Sequence, residues 1–193
     1  MAQASIGYID QSARSNWMRL RTLVVVRWFA IAGQIVTLIV AQYLYELKLA
    51  LVPCAIIIGM SVLTNIFALI VFPDNRRLSE TETMFTLLFD TLQLSLLLAF
   101  TGGLSNPFAL FILAPVTIAA TVLPTRSTLF LAICSVIMIT IVSLIHLPLN
   151  TATGNLMNMP EVFVFGFWVA IITGVIFISV YTRRVTAEMT SMS

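Results

Sequence analysis

The chain has 193 residues, of which 60% are hydrophobic and only 9% charged, with a formal net charge of +2. A soluble domain of this size carries about 25% charged residues, so a water-facing surface over most of the chain is excluded. The mean hydropathy of +1.04 makes lipid the solvent for most side chains; the net charge itself says little, and no direct contact with nucleic acid is expected.

Residues 1–22 form a basic cytoplasmic or interfacial lead-in. Its stretch "SNWMRLRTLVVVRWF" offers Ser15 or Asn16 as a cap and interleaves arginines with Trp17 and Leu20. It reads either as a short interfacial helix on anionic lipid or as an ordinary basic flank. The apolar run that follows is too long for a cleavable signal peptide.

A spanning helix needs roughly 20 apolar residues, and residues 23–181 hold six such runs. They are Leu23 to Leu44, Leu49 to Phe72, Met84 to Phe100, Pro107 to Leu123, Thr128 to Leu147 and Val162 to Tyr181. Backbone groups in hydrocarbon must satisfy one another, so the runs are helices. The expected fold is an all-α integral membrane bundle of six transmembrane helices. Arginines 14, 19, 21, 27, 76, 77, 126, 183 and 184 all fall at one set of helix ends, whereas Lys48 is the lone base at the other set. Positive charge marks the cytoplasmic side, so both termini are expected inside.

Within this frame Cys54 falls near the outer end of helix two and Cys134 near the inner end of helix five. A disulfide requires Cα atoms within about 7 Å, so the two cysteines read as small buried hydrophobes. Prolines 53, 73, 107, 124, 148 and 160 sit at helix boundaries, where a missing N–H costs little. Pro115 lies inside helix four and is expected to kink it. Residues 182–193 read as the start of a cytoplasmic helical linker. Neither glycine nor proline stops helix six, and Val185, Met189 and Met192 have the spacing of a coiled-coil seam, as though a further domain follows.

Intramembrane charge needs a partner or a purpose. Asp90 lies about 9 Å into helix three and Arg27 roughly 6 Å into helix one at 1.5 Å per residue. Both helices run outward, which predicts an Arg27–Asp90 contact. Thr86, Asp90 and Gln93 share a helix face, and Gln34 supplies a matching amide on helix one. This stripe reads either as glue between helices one and three or as a proton-sensitive element in signalling. Gly166, Ala170 and Gly174 stand at steps of four on helix six, with weaker counterparts in Gly33, Thr37 and Ala41 on helix one. Such small residues allow close helix approach, either within the bundle or across a homodimer.

Between helices three and four stands "TGGLSNPFAL", residues 101–110. As a turn, Gly102 and Gly103 end helix three, Asn106 caps helix four and Pro107 occupies its first turn. As a site, the glycines allow close approach, the Asn106 amide donates to a carbonyl, and Phe108 stacks on a flat ring. A quinone head group with its tail in lipid would suit that arrangement.

Gly102, Gly103, Leu104, Ser105, Asn106, Pro107 and Phe108 resemble the heptapeptide of the RegB/PrrB redox-sensing histidine kinases. The placement in a short outer loop between helices three and four, the inside termini and the outgoing sixth helix are similar to that family too. The resemblance implies the membrane sensor domain of a two-component kinase in the bacterial inner membrane, with ubiquinone as ligand at the heptapeptide. It also implies a homodimer, a cognate response regulator as phosphate acceptor, and a link to a terminal oxidase. The phosphoacceptor histidine and ATP-binding domain of the family are expected beyond this chain. The lone histidine, His146, is at the outer end of helix five and reads as a solvated interfacial residue. A small-solute or ion transporter is the rival, since Asp90 and a kinked helix four could line a path. Paired halves and matching broken helices are missing, and one histidine argues against haem.

Overall fold

The computed structural model describes residues 20–73, 77–151 and 159–191, with side chains described as far as 181. Among the described residues the fold is helical apart from one two-residue strand pair and a bridge residue at Arg77. In chain order the elements are α1 (Leu20–Tyr43), β1 (Leu47–Lys48), α2 (Leu51–Val71), α3 (Glu80–Phe100), α4 (Leu113–Val122), α5 (Thr125–Leu144), β2 (Asn150–Thr151) and α6 (Glu161–Ser191). Two 3₁₀ turns, Gly103–Ser105 and Pro107–Ile112, join α3 to α4. Among the described residues, five helices are long and apolar enough to cross a membrane: α1, α2, α3, α5 and Glu161–Tyr181 of α6.

The expected fourth span is shorter and mixed, Pro107–Val122. Pro115 has no N–H for the Phe111 carbonyl, and its ring crowds that oxygen. The α ladder therefore begins only at Leu113, and the six residues before it wind as a 3₁₀ helix. Pro115 thus marks a change of helix type, where the sequence suggested a kink within one α-helix. Six residues at about 2.0 Å and ten at about 1.5 Å reach roughly 27 Å, against roughly 24 Å for a uniform α-helix.

Other boundaries also move for identifiable reasons. Helix α3 starts at Glu80, ahead of Met84, because Ser79 and Glu82 form a reciprocal capping box. Helix α5 stops at Leu144. The chain then bends back so that Leu147 N–H donates to Ala99 O at 2.7 Å. That bond satisfies one of the carbonyls left over at the end of α3. Helix α6 is a single element of 31 residues, roughly 46 Å at 1.5 Å per residue. The basic lead-in before Leu20 and the side chains of the Val185–Met189–Met192 seam lie outside the described residues.

Packing pairs α1 with α2, α3 with α5, and α6 with both α4 and α5. One apolar core, including Leu104, Ile112, Val116, Ile139 and Ile171, joins α4, α5 and α6 to the hairpin. A second, around Leu23, Leu87, Ala119 and Leu131, ties α1, α3, α4 and α5 together. A third, around Ile31, Cys54, Ile58 and Leu97, binds α1 to α2 and α3. Outward faces stay apolar: Phe29 is 76% exposed, Ile70 77% and Val162 79%. That pattern is costly in water and ordinary in hydrocarbon. Both cysteines are free thiols, Cys54 buried and Cys134 half-buried.

Candidate functional site

The Thr101–Phe108 hairpin is built from three local devices. Gly102 adopts φ 98° just past the end of α3 and Gly103 φ 59°, the left-handed region in which glycine suffers no Cβ clash. A Cβ on Gly102 would stand 2.4 Å from Leu149 Cγ, and one on Gly103 2.5 Å from His146 Cγ. Both glycines are buried. The close approach they permit is made by the chain's own segment after α5, and neither glycine lines the cavity described below.

Asn106 is the third device. Its Oδ1 accepts from Phe108 N–H at 2.9 Å, capping the 3₁₀ helix that Pro107 opens. Its Nδ2 donates to Thr101 Oγ1 at 2.9 Å and to Thr101 O at 3.2 Å. The amide expected to donate to a ligand is therefore spent inside the hairpin, where it holds the loop's two arms together. Phe108 remains 40% exposed, stacked on Phe111 with centroids 5.6 Å apart.

Beside this hairpin is a cavity of about 760 Å³. Asn106, Pro107 and Phe108 form one wall, and Val36 and Val40 from the C-terminal end of α1, with Tyr45 just after it, form another. The roof comes from pairing of the segment after α1 with the segment after α5, with Leu47 opposite Thr151 and Lys48 opposite Asn150, which brings Leu47, Leu49 and Leu149 over the space. Thr37 and Ala41, the small residues of the α1 stripe, leave room for it. Thr37, Tyr45 and Ser105 also line it, and none of their hydroxyls has a hydrogen-bond partner among the described residues. The α1 wall and the Leu149 roof have no signature in the sequence, since only the folded chain brings them to the heptapeptide.

A second polar cluster lies toward the opposite end of the bundle. Arg27 and Asp90 form an ion pair at 2.8 Å, as their depths in the two helices predict. The Arg27 guanidinium also stands 5.6 Å above the Phe89 ring. Two turns beyond Arg27 on α1 and about one turn beyond Asp90 on α3, Gln34 and Gln93 exchange amide bonds of 2.9 and 3.3 Å, while Thr86 bonds back to Glu82 O within its own helix. Sequence reading missed Asn65 of α2, which is fully buried and donates to Val24 O at 3.0 Å, adding a third helix to this zone. An asparagine amid "VLTNIFALIV" was the available signal.

The small-residue stripe of α6 divides. Gly174 faces Leu113 of α4, 3.4 Å from where its Cβ would stand, whereas Gly166 has open space around it and Ala170 is exposed. Gly174 packs within the bundle; the other two look outward. Among the described residues no group of three or more His, Cys, Asp or Glu side chains is placed to hold a metal.

Comparison with known proteins settles the family. The chain is 45% identical over 187 residues to the sensor histidine kinase RegB of Cereibacter sphaeroides. It is 46% identical over the same length to the RegB of a named strain of that species. Both alignments cover 97% of this chain. This chain is a RegB-type sensor domain. It spans 40% of the length of these RegB relatives. No family model matches the chain, and no solved structure matches it.

Proposed function

We propose that this RegB-type domain is the quinone-responsive input of a redox-sensing two-component histidine kinase in the bacterial inner membrane. In this reading the chain crosses the bilayer six times, Pro107–Val122 being the short span, with both termini cytoplasmic. The whole protein would be a homodimer that autophosphorylates with ATP through a kinase core and passes phosphate to a cognate response regulator. Terminal oxidase activity would be a second input.

The observation that carries the reading is the cavity against Asn106, Pro107 and Phe108. Its volume of about 760 Å³ lies within the range of about 300 to 1,000 Å³ typical of small-molecule sites. Its walls are mostly apolar, one half-exposed aromatic face is available for stacking, and three unpaired hydroxyls can donate. These groups fit ubiquinone. When bound, a quinone presents carbonyl acceptors, and its reduced form presents hydroxyl donors. Tyr45, Thr37 and Ser105 supply donors to the oxidised form, while Asn106 shapes the wall from behind. Phe108 orients the ring plane, and the apolar outer surface of α1 leaves a path for a lipid tail. The two redox forms then bind with different free energies, and that difference is the most the ligand can contribute to moving a conformational equilibrium.

Pro107 and Phe108 continue through the 3₁₀ helix to Leu113, which rests on Gly174 of α6. That contact links the cavity wall to the helix that leaves the bundle. The test is titration of the full-length protein in nanodiscs with a short-tail benzoquinone, comparing wild type with Phe108→Ala and Tyr45→Phe. Affinity lowered about tenfold in Phe108→Ala supports the reading. Unchanged affinity in both variants returns the hairpin to a purely structural turn.

A further inference from the structure

A second cavity lies on the other side of the hairpin, between the outer ends of α5 and α6, with a volume of about 550 Å³. Ser105 lines both cavities. The second is walled by the apolar surfaces of Leu144, Met159, Val164, Phe165 and Trp168, and its polar residues are Ser105, Thr140, Ser143, His146 and Glu161.

The hydrogen bonds of those polar groups leave the cleft with an unusual chemical bias. Ser143 Oγ donates its only proton to Thr140 O at 2.8 Å. Thr140 Oγ1 donates to Val136 O at 2.7 Å and accepts the Trp168 indole N–H at 3.1 Å. A carbonyl oxygen can only accept, so the His146 Nδ1 that stands 3.0 Å from Val142 O carries a proton. In that tautomer the lone pair is on Nε2, which has no hydrogen-bond partner among the described residues. Glu161, when ionised, only accepts. Among the side chains of this cleft, every hydroxyl or indole proton except that of Ser105 therefore has an acceptor, and the side-chain atoms left to meet a ligand include a serine oxygen, an imidazole nitrogen and a carboxylate. The cavity beside Phe108 has the opposite character, with three uncommitted hydroxyls.

We infer that the α5–α6 cleft is a second ligand site, selective for an amphiphile whose head group donates hydrogen bonds. The shared chemistry is a polar donor on an apolar body, accepted by His146 and Glu161 and flanked by the stacked rings of Phe165 and Trp168, 5.9 Å apart. Two sources carry it in a bacterial membrane: the ring hydroxyls of a benzoquinol, and the ammonium of phosphatidylethanolamine, which aromatic faces also favour. The quinol source rests on the quinone-responsive reading above; the phospholipid source does not. Because Ser105 and the His146–Gly103 contact belong to the same hairpin, occupancy of this cleft bears on the wall of the first cavity.

The experiment uses the full-length protein in phosphatidylglycerol nanodiscs, titrated anaerobically with a short-tail benzoquinol, the matching benzoquinone, and phosphatidylethanolamine. Glu161→Gln and His146→Gln are compared with wild type. Glu161 is exposed, so its variant tests the site even where His146→Gln disturbs the packing on Gly103. Loss of an acceptor from a charged or well-aligned bond is expected to weaken one donor probe about tenfold while benzoquinone binding stays the same. Weakened benzoquinol binding assigns the site to quinol, and weakened phosphatidylethanolamine binding assigns it to lipid. Unchanged affinity for both donor probes in both variants, or an equal loss for benzoquinone, overturns the inference. Phe108→Ala and Tyr45→Phe are run alongside. If both leave benzoquinone binding intact while Glu161→Gln weakens phosphatidylethanolamine binding, the first-cavity reading fails and this one stands.

Discussion

Gly102 and Gly103 look interchangeable as letters, yet they are constrained differently. Gly102→Ala meets both a φ of 98° and Leu149 at 2.4 Å. At φ 59° Gly103 has a backbone other residues reach at a cost of about 1 to 2 kcal/mol, but the His146 ring blocks its Cβ at 2.5 Å. Gly103→Ala is therefore expected to be destabilised, and His146→Ala in the same background to recover part of the loss. Gly102→Ala should not be rescued that way. Thermal unfolding in detergent for the four variants checks this, and equal rescue at both positions would refute it. Asp90 and Arg27 yield a second prediction at this scale. Asp90→Leu leaves a guanidinium unpaired in the bundle, at a cost of about 3 kcal/mol, and Arg27→Met added to it should restore most of the stability. If the double variant is no more stable than Asp90→Leu, the pair is not what holds these helices.

At the scale of elements, the segment from Pro107 to Val122 shows how one residue sets a geometry. The 3₁₀ winding before Pro115 lengthens the segment by roughly 3 Å relative to an α-helix and sets the height of Phe108 against α1. Pro115→Ala restores the missing N–H, and the α ladder is expected to extend back toward Pro107. Phe108 would then leave the cavity wall, so benzoquinone affinity should fall although no cavity residue has changed. An affinity equal to wild type would show that the winding is immaterial. The capping box at Ser79 is legible in the sequence as Ser-x-x-Glu and marks a start of α3 four residues ahead of Met84. The end of α5 carried no such mark. It is set by Leu147 finding the Ala99 carbonyl, a contact between distant parts of the chain.

For the whole molecule, the contact of Leu113 with Gly174 is the one place where the hairpin's continuation leans directly on α6 across a glycine. Gly174→Leu forces α4 and α6 apart. Under the proposed function it should leave benzoquinone affinity near wild type while abolishing the quinone dependence of kinase output; persistence of a normal response would exclude this route. Topology is open to a simpler check. Single cysteines at Arg126 and Tyr45, introduced after removal of Cys54 and Cys134, should react with a membrane-impermeant maleimide from opposite sides. Labelling from one side alone would contradict the six-span reading.

Composition alone determined that the chain is apolar and helical, because backbone groups in hydrocarbon leave few other solutions. Residue number placed Arg27 at the depth of Asp90 and Gln34 on the same face of α1, since depth along neighbouring helices is simple arithmetic; the Gln34–Gln93 pairing came from the folded chain. The hairpin residues, too, were legible as a unit because turn chemistry is local. What only the tertiary structure decided is how their polar groups are used. A hydrogen-bonding group has few bonds to make, and partners distant in sequence choose among them. Thr101 took the Asn106 amide, Leu149 and His146 took the space beside the glycines, and α1 supplied the cavity wall that no motif announces.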